Sequence, residues 1–158
     1  MTLSELLAPE RVVADLVVLD KRALLVELGR RAGALLRVPG ETITAALQNR
    51  EEMGSTGLGQ GFALPHARIK GLNWFFGMFV RLARPIAFDA IDEQPVSLVF
   101  LLLSPEEAGG EHLTALATIS RRMSDPSVVR LLVHASSAAR LFDALAGDGE
   151  GKRMASSR

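Results

Sequence analysis

The chain has 158 residues, 18 of them basic and 18 acidic, and it contains no cysteine. A length of this order is typical of one domain that buries its own core. The balanced charge argues against binding to nucleic acid or to anionic membranes, and the lack of thiols excludes disulfides, cysteine nucleophiles and cysteine metal clusters.

The N-terminal residues predict neither a secretory signal nor insertion into a membrane. Glu5 lies where a signal peptide carries basic residues, and no long apolar region comes after it. The most apolar runs, 74–80 and 96–103, are shorter than the about 20 residues that span a bilayer. We therefore expect a cytoplasmic protein.

The first third of the chain predicts a strand followed by two helices. Residues 12–19 are mostly apolar and partly β-branched, which favours a strand, and Asp20 can cap a helix over 21–36. After an interruption by proline and glycine, apolar residues at helical spacing continue to Arg50, and the second helix ends near Met53. Arg50 thus extends the apolar face of that helix.

The rest of the chain predicts buried strands and then three helices. The predicted strands are 62–64, 73–82 and 94–103, with Arg84-Pro85 ending the second of them and separating it from the third. The predicted helices are 111–123, 127–134 and 138–146. Strands interleaved with helices indicate one α/β domain over 1–146, a mixed β-sheet flanked by helices on both faces, and the polar residues 147–158 predict a disordered tail.

The stretch from Arg50 to Ala67 is the strongest candidate for a functional site. It contains four glycines within eight residues, which can turn backbone amides toward a common point, and it then places His66 directly after a proline. A neutral imidazole keeps a free lone pair that can attack phosphorus, and the planar donors of Arg50 suit phosphate oxygens. A purely structural interpretation stays open, in which His66 bonds to nearby backbone and Arg50 only completes its helix.

Within this loop the candidate phosphate contacts are Ser55, Thr56, Gly57 and Gly59. The two hydroxyls and the amides can bond phosphate oxygens or brace the turn, and bracing is favoured for at least one hydroxyl. The glycine spacing matches neither the Walker A motif nor the dinucleotide fingerprint, and no nucleophile elbow is present. The loop therefore points to anion binding by a histidine site without a nucleotide.

The two other histidines differ in their predicted roles. His112 comes after Ala108-Gly109-Gly110 in the first turn of a helix, faces inward, and lies beside free amides that favour a phosphoryl group. The alternative is a boundary histidine packed against the sheet. His134 ends a helix and is assigned a structural role. The spacing of the histidines predicts no metal site.

These residues together resemble a known family. The order Arg50-Glu51, Gly54-Ser55-Thr56-Gly57-Leu58-Gly59 and Ala63-Leu64-Pro65-His66 is similar to the active-site signature of the fructose, mannitol and nitrogen-regulatory enzyme IIA domains of the bacterial phosphoenolpyruvate-dependent phosphotransferase system. The segment from Leu101 to Leu113 resembles that family's strand and helix with a second histidine, so the likeness covers roughly 3–146.

The resemblance implies a function and a role for each site residue. His66 would accept a phosphoryl group from the phosphorylated histidine-containing carrier protein, supported by His112 and Arg50, without metal or cofactor. Ala67 stands where many relatives have glycine, which bears on the fit of partners. The family's fold, a mixed sheet flanked by helices, agrees with the predicted elements.

Four functions remain open on the sequence alone. A nitrogen-regulatory phosphocarrier, whose state is read by partners such as a kinase or a transporter, is favoured because the chain carries no attached transporter or carrier domain. A fructose- or mannitol-specific component would instead pass the group to a permease B domain. A binding module would dock a regulatory partner without phosphotransfer. A small hydrolase that uses His66 as a base is the weakest alternative, because no nucleophile is identified.

Overall fold

The computed structural model describes residues 1–147, which form a six-stranded mixed sheet with helices on both faces. The helices are α1 (Leu3–Leu6), α2 (Lys21–Leu36), α3 (Gly40–Glu52), α4 (Gly110–Met123), α5 (Pro126–His134) and α6 (Ala138–Ala146), with a 3-10 turn at Pro9–Arg11. The strands are β1 (Val12–Leu16), β2 (Gly57–Gly59), β3 (Phe62–Ala63), β4 (His66–Ile69), β5 (Phe76–Ile86) and β6 (Val96–Pro105). Among the described residues, no helix has the length and apolar character needed to cross a bilayer. The predicted α/β class with a mixed sheet is confirmed, whereas the predicted tail, apart from Gly147, lies outside the described residues.

The sheet is built around the antiparallel pair β5 and β6. Its strand order is β1-β5-β6-β3-β2, and β4 also pairs with β6. β3 and β4 both run parallel to β6, and they pair with consecutive parts of that strand. Leu64 and Pro65 connect them, and the amide of Leu102 in β6 donates to the carbonyl of Pro65 at 3.0 Å. β4 therefore pairs along β6, and it is also the strand that α3 contacts.

Both faces of the central strands are buried, which explains why their sequences show no alternation of apolar and polar residues. One core cluster lies between the sheet and α2 and α3, and the other lies beneath α1, α4, α5 and α6. Successive residues of β5 and β6 alternate between the two clusters. Those in the first include Met78, Val80, Val99, Leu101 and Leu103, and those in the second include Phe79, Leu98, Phe100 and Leu102.

Several element boundaries match the sequence and others do not. The predicted helices at 21–36 and 138–146 are confirmed, and the carboxylate of Asp20 accepts a hydrogen bond from the amide of Ala23 at 2.8 Å as the expected cap. The strand predicted over 12–19 ends at Leu16, just after Asp15 adopts a positive φ of 57°.

The expected separator Arg84-Pro85 is wrong, because both residues lie inside β5. Pairing of β5 with β1 ends at Leu82, so the missing amide hydrogen of Pro85 interrupts no ladder on that side. On the other side, a register shift between Arg81 and Ile86 accommodates the proline. The short strands β2 and β4, the helix α1 and the 3-10 turn were not predicted.

Close packing of α2 against α3 places the end of α3 beside the sheet. A Cβ atom on Gly29 would lie 2.8 Å from the carbonyl oxygen of Gly40 and still closer to the hydroxyl of Thr44. Gly33 likewise faces the backbone of Gly40. The absence of side chains at these positions lets the two helices approach each other, and this approach determines where Arg50 emerges.

We expect Gly29→Ala to lower the free energy of unfolding by about 2 kcal/mol, because the new methyl group meets backbone that cannot easily move. This loss outweighs the about 1 kcal/mol that alanine gains over glycine inside a helix. Urea unfolding measures the change. Gly110→Ala is the matched control, since a Cβ there meets nothing within 4 Å. Equal stability of the two variants would contradict the packing described for α2 and α3.

Candidate active site

The imidazole of His66 is held so that one particular nitrogen is available. His66 begins β4, and its Nδ1 lies 2.8 Å from the carbonyl oxygen of Leu64. Because a carbonyl oxygen only accepts hydrogen bonds, Nδ1 carries the hydrogen and donates it, which leaves the lone pair on Nε2. Arg50 confirms this assignment from the other side of the ring, since its Nε donates to Nε2 at 3.2 Å.

Arg50 reaches this ring from the opposite face of the sheet. Arg50 lies in the last turn of α3, the helix that packs on the face of the sheet where Ala67 and Ile69 of β4 are buried. His66 alternates with these two residues along β4, so its side chain points to the other face. The guanidinium of Arg50 is also anchored to the glycine loop, because Nη1 donates to the carbonyl of Gly54 at 2.8 Å. One arginine therefore links the end of α3, the loop and Nε2 of His66.

His112 lies opposite His66. It occupies the first turn of α4, it is 7% exposed, and the centre of its ring is 5.6 Å from that of His66, with the planes tilted by 53°. Its Nδ1 lies 2.7 Å from the hydroxyl of the buried Ser104. The structure thus brings together His66, Arg50 and His112, the three residues predicted for catalysis.

These side chains line one open cavity of about 450 Å³. Its walls come from α3, β4 and α4. The lining residues are Ala46, Asn49, Arg50, Met53, His66, Ala67, Arg68 and His112. The cavity therefore opens at the point where the C-terminal end of α3 and the N-terminal end of α4 meet the start of β4.

The surroundings of both imidazoles favour the neutral form. Burial lowers the pKa of His66, a hydrogen bond to the Leu64 carbonyl opposes that shift, and the charge of Arg50 adds to it. Burial, followed by the charge of Arg68, lowers the pKa of His112 to about 4. A neutral His66 keeps its lone pair for an electrophile, and the positive charge in the cavity comes from arginines.

Arg68 belongs to this site although no sequence motif pointed to it. It lies two residues after His66 in β4, so both side chains point to the same face. Its guanidinium donates to the carbonyls of Glu106 and Gly109, each at 3.4 Å. The one signal that would have found it is this two-residue spacing, and it becomes visible only once β4 is known to be a strand.

The hydroxyls of the glycine loop make contacts that brace the turn. Ser55 Oγ donates to the carbonyl of Phe88 at 2.7 Å and accepts from the amide of Gly57 at 3.0 Å. Thr56 is buried, and both its amide and its hydroxyl donate to the carboxylate of Glu51. The phosphate contacts predicted for Ser55 and Thr56 stay a prediction, and in this structure their hydroxyls already have partners.

Gly57 and Gly59 lie in β2 and pack against residues 88–92. A Cβ atom on Gly57 would lie 2.9 Å from that of Ala90, and one on Gly59, whose φ is 98°, would lie 3.2 Å from a carboxylate oxygen of Asp92. Gly57 thus permits a close approach to Ala90, and Gly59 to the side chain of Asp92. Neither belongs to the lining of the cavity around His66, and their predicted phosphate contacts are likewise untested.

Glu51 belongs to the signature described above, but no role was predicted for it from the sequence. Its carboxylate is 6% exposed and accepts hydrogen bonds from Thr56 and from Lys21, the latter at 2.9 Å. Lys21 also lies 3.6 Å from the carboxylate of Asp89 and 4.5 Å above the ring of Phe88. This network joins the start of α2, the end of α3, the glycine loop and the 88–89 segment.

His134 lies apart from this group. It is exposed at the end of α5, and its Nδ1 lies 3.0 Å from the carbonyl of Arg130, one turn earlier. It does not belong to the lining of the cavity. The contact is local to its own helix, so His134 offers a comparison residue for experiments on His66.

Comparisons with known proteins agree along nearly the whole described chain. The family model described as "Phosphoenolpyruvate-dependent sugar phosphotransferase system, EIIA 2" matches residues 5–147. The chain is 40% identical to a nitrogen regulatory protein of Bradyrhizobium diazoefficiens over 146 residues, covering 92% of this chain and 95% of that protein. It is also 40% identical to the nitrogen regulatory protein of Escherichia coli over 132 residues, 83% and 80% of the two chains.

A solved structure agrees with these matches. The nitrogen regulatory protein IIA-Ntr from Neisseria meningitidis superposes with a TM-score of 0.85 at 39% identity, covering 89% of this chain and 97% of that one. At this level of similarity the order of strands and helices is shared.

We expect Glu51→Gln to lower the free energy of unfolding by about 2 kcal/mol, because hydrogen bonds to a buried charged group are lost or weakened. Glu52→Gln is the matched control, since Glu52 is the exposed neighbour on the same helix. Thermal or urea unfolding of both variants measures the difference. If the two substitutions have the same effect, the carboxylate of Glu51 does not hold the loop.

The low pKa of His112 predicts a loss of stability in mild acid. The folded state keeps His112 neutral to about pH 4, whereas the unfolded chain binds a proton near pH 6.5. Neutral His112 therefore contributes stability above pH 6.5 that is lost as the pH falls toward 4. The free energy of unfolding decreases by about 2 kcal/mol between neutral pH and pH 5 for this reason. His112→Asn removes the titrating group and should lose less over the same range. Urea unfolding at about pH 7.5 and pH 5 compares the two proteins, and parallel losses would refute this assignment.

Proposed function

The chain belongs to the EIIA type 2 family of the phosphoenolpyruvate-dependent sugar phosphotransferase system, and we propose that it is a phosphocarrier that accepts a phosphoryl group on Nε2 of His66. The donor is the phosphorylated histidine-containing carrier protein. The observation that carries the proposal is that Nε2 is the ring nitrogen of His66 that keeps its lone pair, at a cavity lined also by Arg50 and His112.

The transfer exchanges one nitrogen–phosphorus bond for another. The lone pair of His66 Nε2 forms the new bond as the donor's bond breaks, and the electron pair of that bond returns to the donor nitrogen. No proton needs to move, because Nδ1 keeps its hydrogen and donates it to the Leu64 carbonyl. The carbonyl oxygen then also stabilises the positive charge that the phosphorylated ring carries.

Arg50 has to release Nε2 before the phosphoryl group arrives. Its Nε occupies the lone pair at 3.2 Å, while Nη1 remains anchored on Gly54. When the guanidinium rotates about this anchor, its Nε–H group leaves Nε2 of His66 and bonds to an oxygen of the phosphoryl group instead. The planar arrangement of its donors fits phosphoryl oxygens. Such transfer depends on positioning and charge stabilisation more than on covalent chemistry, and Arg50, Arg68 and His112 supply both.

The surface beside the cavity suits a protein partner. Met53 is 82% exposed and Leu113, the residue after His112, is 67% exposed. Apolar side chains around a polar centre are typical of surfaces that bind another protein. This supports transfer from a carrier protein rather than from a small phosphorylated metabolite.

The phosphorylation state of His66 serves regulation in this proposal. The nitrogen regulatory proteins to which the chain is similar along most of its length support that role. Regulatory partners, such as a kinase or a transporter, would read the state at the surface around Met53 and Leu113. We therefore expect the protein to act in the cytoplasm, where the donor is phosphorylated.

Labelling with the phosphorylated carrier protein tests the proposal. We expect the wild type and His134→Ala to acquire acid-labile phosphate equally, because His134 lies outside the cavity. His66→Ala should acquire none, since the acceptor nitrogen is gone. The labelling is measured by autoradiography before and after brief acid treatment.

Other outcomes would contradict the proposal or indicate a different function. Equal labelling of His66→Ala and wild type would contradict the assignment of His66. No labelling of the wild type, combined with unchanged regulation of a partner by His66→Ala, would indicate a binding module. Onward transfer of the label to a permease B domain would indicate a sugar-specific component.

A further inference from the structure

Ser104 is a polar residue inside the most apolar strand of the sheet. It comes directly after Leu101, Leu102 and Leu103 in β6 and is completely buried. Its hydroxyl lies 2.7 Å from Nδ1 of His112, and among residues 1–147 this is the one hydrogen bond found for that hydroxyl. Buried polar side chains in folded proteins are as a rule hydrogen-bonded, and His112 is the partner that satisfies the hydroxyl of Ser104.

The pairing determines where His112 carries its proton. If Nδ1 carried the hydrogen, it would donate to Ser104 Oγ, and the hydroxyl hydrogen of Ser104 would be buried without an acceptor. If Ser104 donates to Nδ1 instead, both groups are satisfied. The neutral ring then carries its hydrogen on Nε2.

The two histidines of the cavity therefore have opposite tautomers. The carbonyl of Leu64 can only accept, so His66 has its hydrogen on Nδ1 and its lone pair on Nε2. The hydroxyl of Ser104 can donate, so His112 has its lone pair on Nδ1 and its hydrogen on Nε2. A form of His112 with both nitrogens protonated is scarce at pH 7, because its pKa lies at about 4.

We propose that Ser104 is a positioning residue that orients the His112 ring and presents its Nε2 hydrogen to an oxygen of the phosphoryl group on His66. The ring centres are 5.6 Å apart, so a group bound to one ring comes within reach of the other. The role in phosphoryl transfer rests on the function proposed above. The tautomer of His112 does not, because it is a consequence of the buried contact in the unmodified protein.

The arrangement gives the two rings complementary tasks. His66 offers an electron pair and His112 offers a hydrogen-bond donor, without any rearrangement during the reaction. A donor that is oriented in advance stabilises developing charge better than one that must turn to meet it. Ser104 itself touches neither the phosphoryl group nor the carrier protein, since it lies beneath the ring of His112 and outside the cavity lining.

Nitrogen-15 NMR of the unphosphorylated protein is the first part of the test. In the wild type we expect His112 to show a hydrogen on Nε2 and an unprotonated Nδ1 that accepts a hydrogen bond. A hydrogen on Nδ1 of His112 would overturn the inference, even if the protein carries phosphate on His66. This measurement needs no variant that might fail to fold and no phosphoryl donor.

Kinetics of phosphoryl uptake are the second part, with three variants. We expect Ser104→Ala to slow transfer at saturating carrier about tenfold, less than the loss of a complete transition-state donor. The carrier concentration at half-maximal rate should not change, because Ser104 is buried away from the docking surface. Ser104→Thr, which keeps the hydroxyl, should retain the wild-type rate, and Ser97→Ala removes a half-buried hydroxyl from the same strand as the matched control.

The two proposals fail in different ways. If the wild type takes up no phosphate while His112 has the expected tautomer, the phosphocarrier function fails and the contact of Ser104 stands. If uptake by the wild type is normal but Ser104→Ala matches Ser97→Ala in rate, the positioning role is refuted. A change in the half-maximal carrier concentration instead of the maximal rate would also refute it.

Discussion

A single backbone carbonyl determines which ring nitrogen of His66 keeps its lone pair. The oxygen of Leu64 lies 2.8 Å from Nδ1 of His66 and accepts its hydrogen, so the lone pair is left on Nε2, the nitrogen proposed to accept the phosphoryl group. That carbonyl is in place because β3 and β4 run along β6 in sequence, with Leu64 and Pro65 between them. The register of two very short strands thus sets the chemistry of the site.

The remaining parts of the site come from both faces of the sheet and meet at β4. Arg50 arrives from α3 on one face, whereas His112 and Ser104 come from α4 and β6 on the other. The buried carboxylate of Glu51 then holds the glycine loop against α3, and the loop carbonyl of Gly54 anchors Arg50. Because each group already has a partner in the unmodified protein, the site is organised in advance of the proposed transfer.

The parts of this structure that depend on local sequence could be predicted, and those that depend on distant contacts could not. The helix at 21–36 was predictable from its capping Asp20 and its apolar stripe, and the proximity of His66 and Arg50 could be inferred from a pattern within one continuous stretch. The role of Glu51, although it stands in the signature, could not be predicted because its partner Lys21 belongs to another helix. Arg68 escaped notice because β4 is too short to show a period of two.

The central claim is that His66 carries the phosphoryl group on Nε2. Phosphorylating protein that has nitrogen-15 labelled histidine, and recording the coupling between nitrogen and phosphorus by NMR, tests it most directly. The account predicts coupling to Nε2 of His66 and a retained hydrogen on Nδ1. Coupling to Nδ1 of His66, or to a nitrogen of His112, would contradict it.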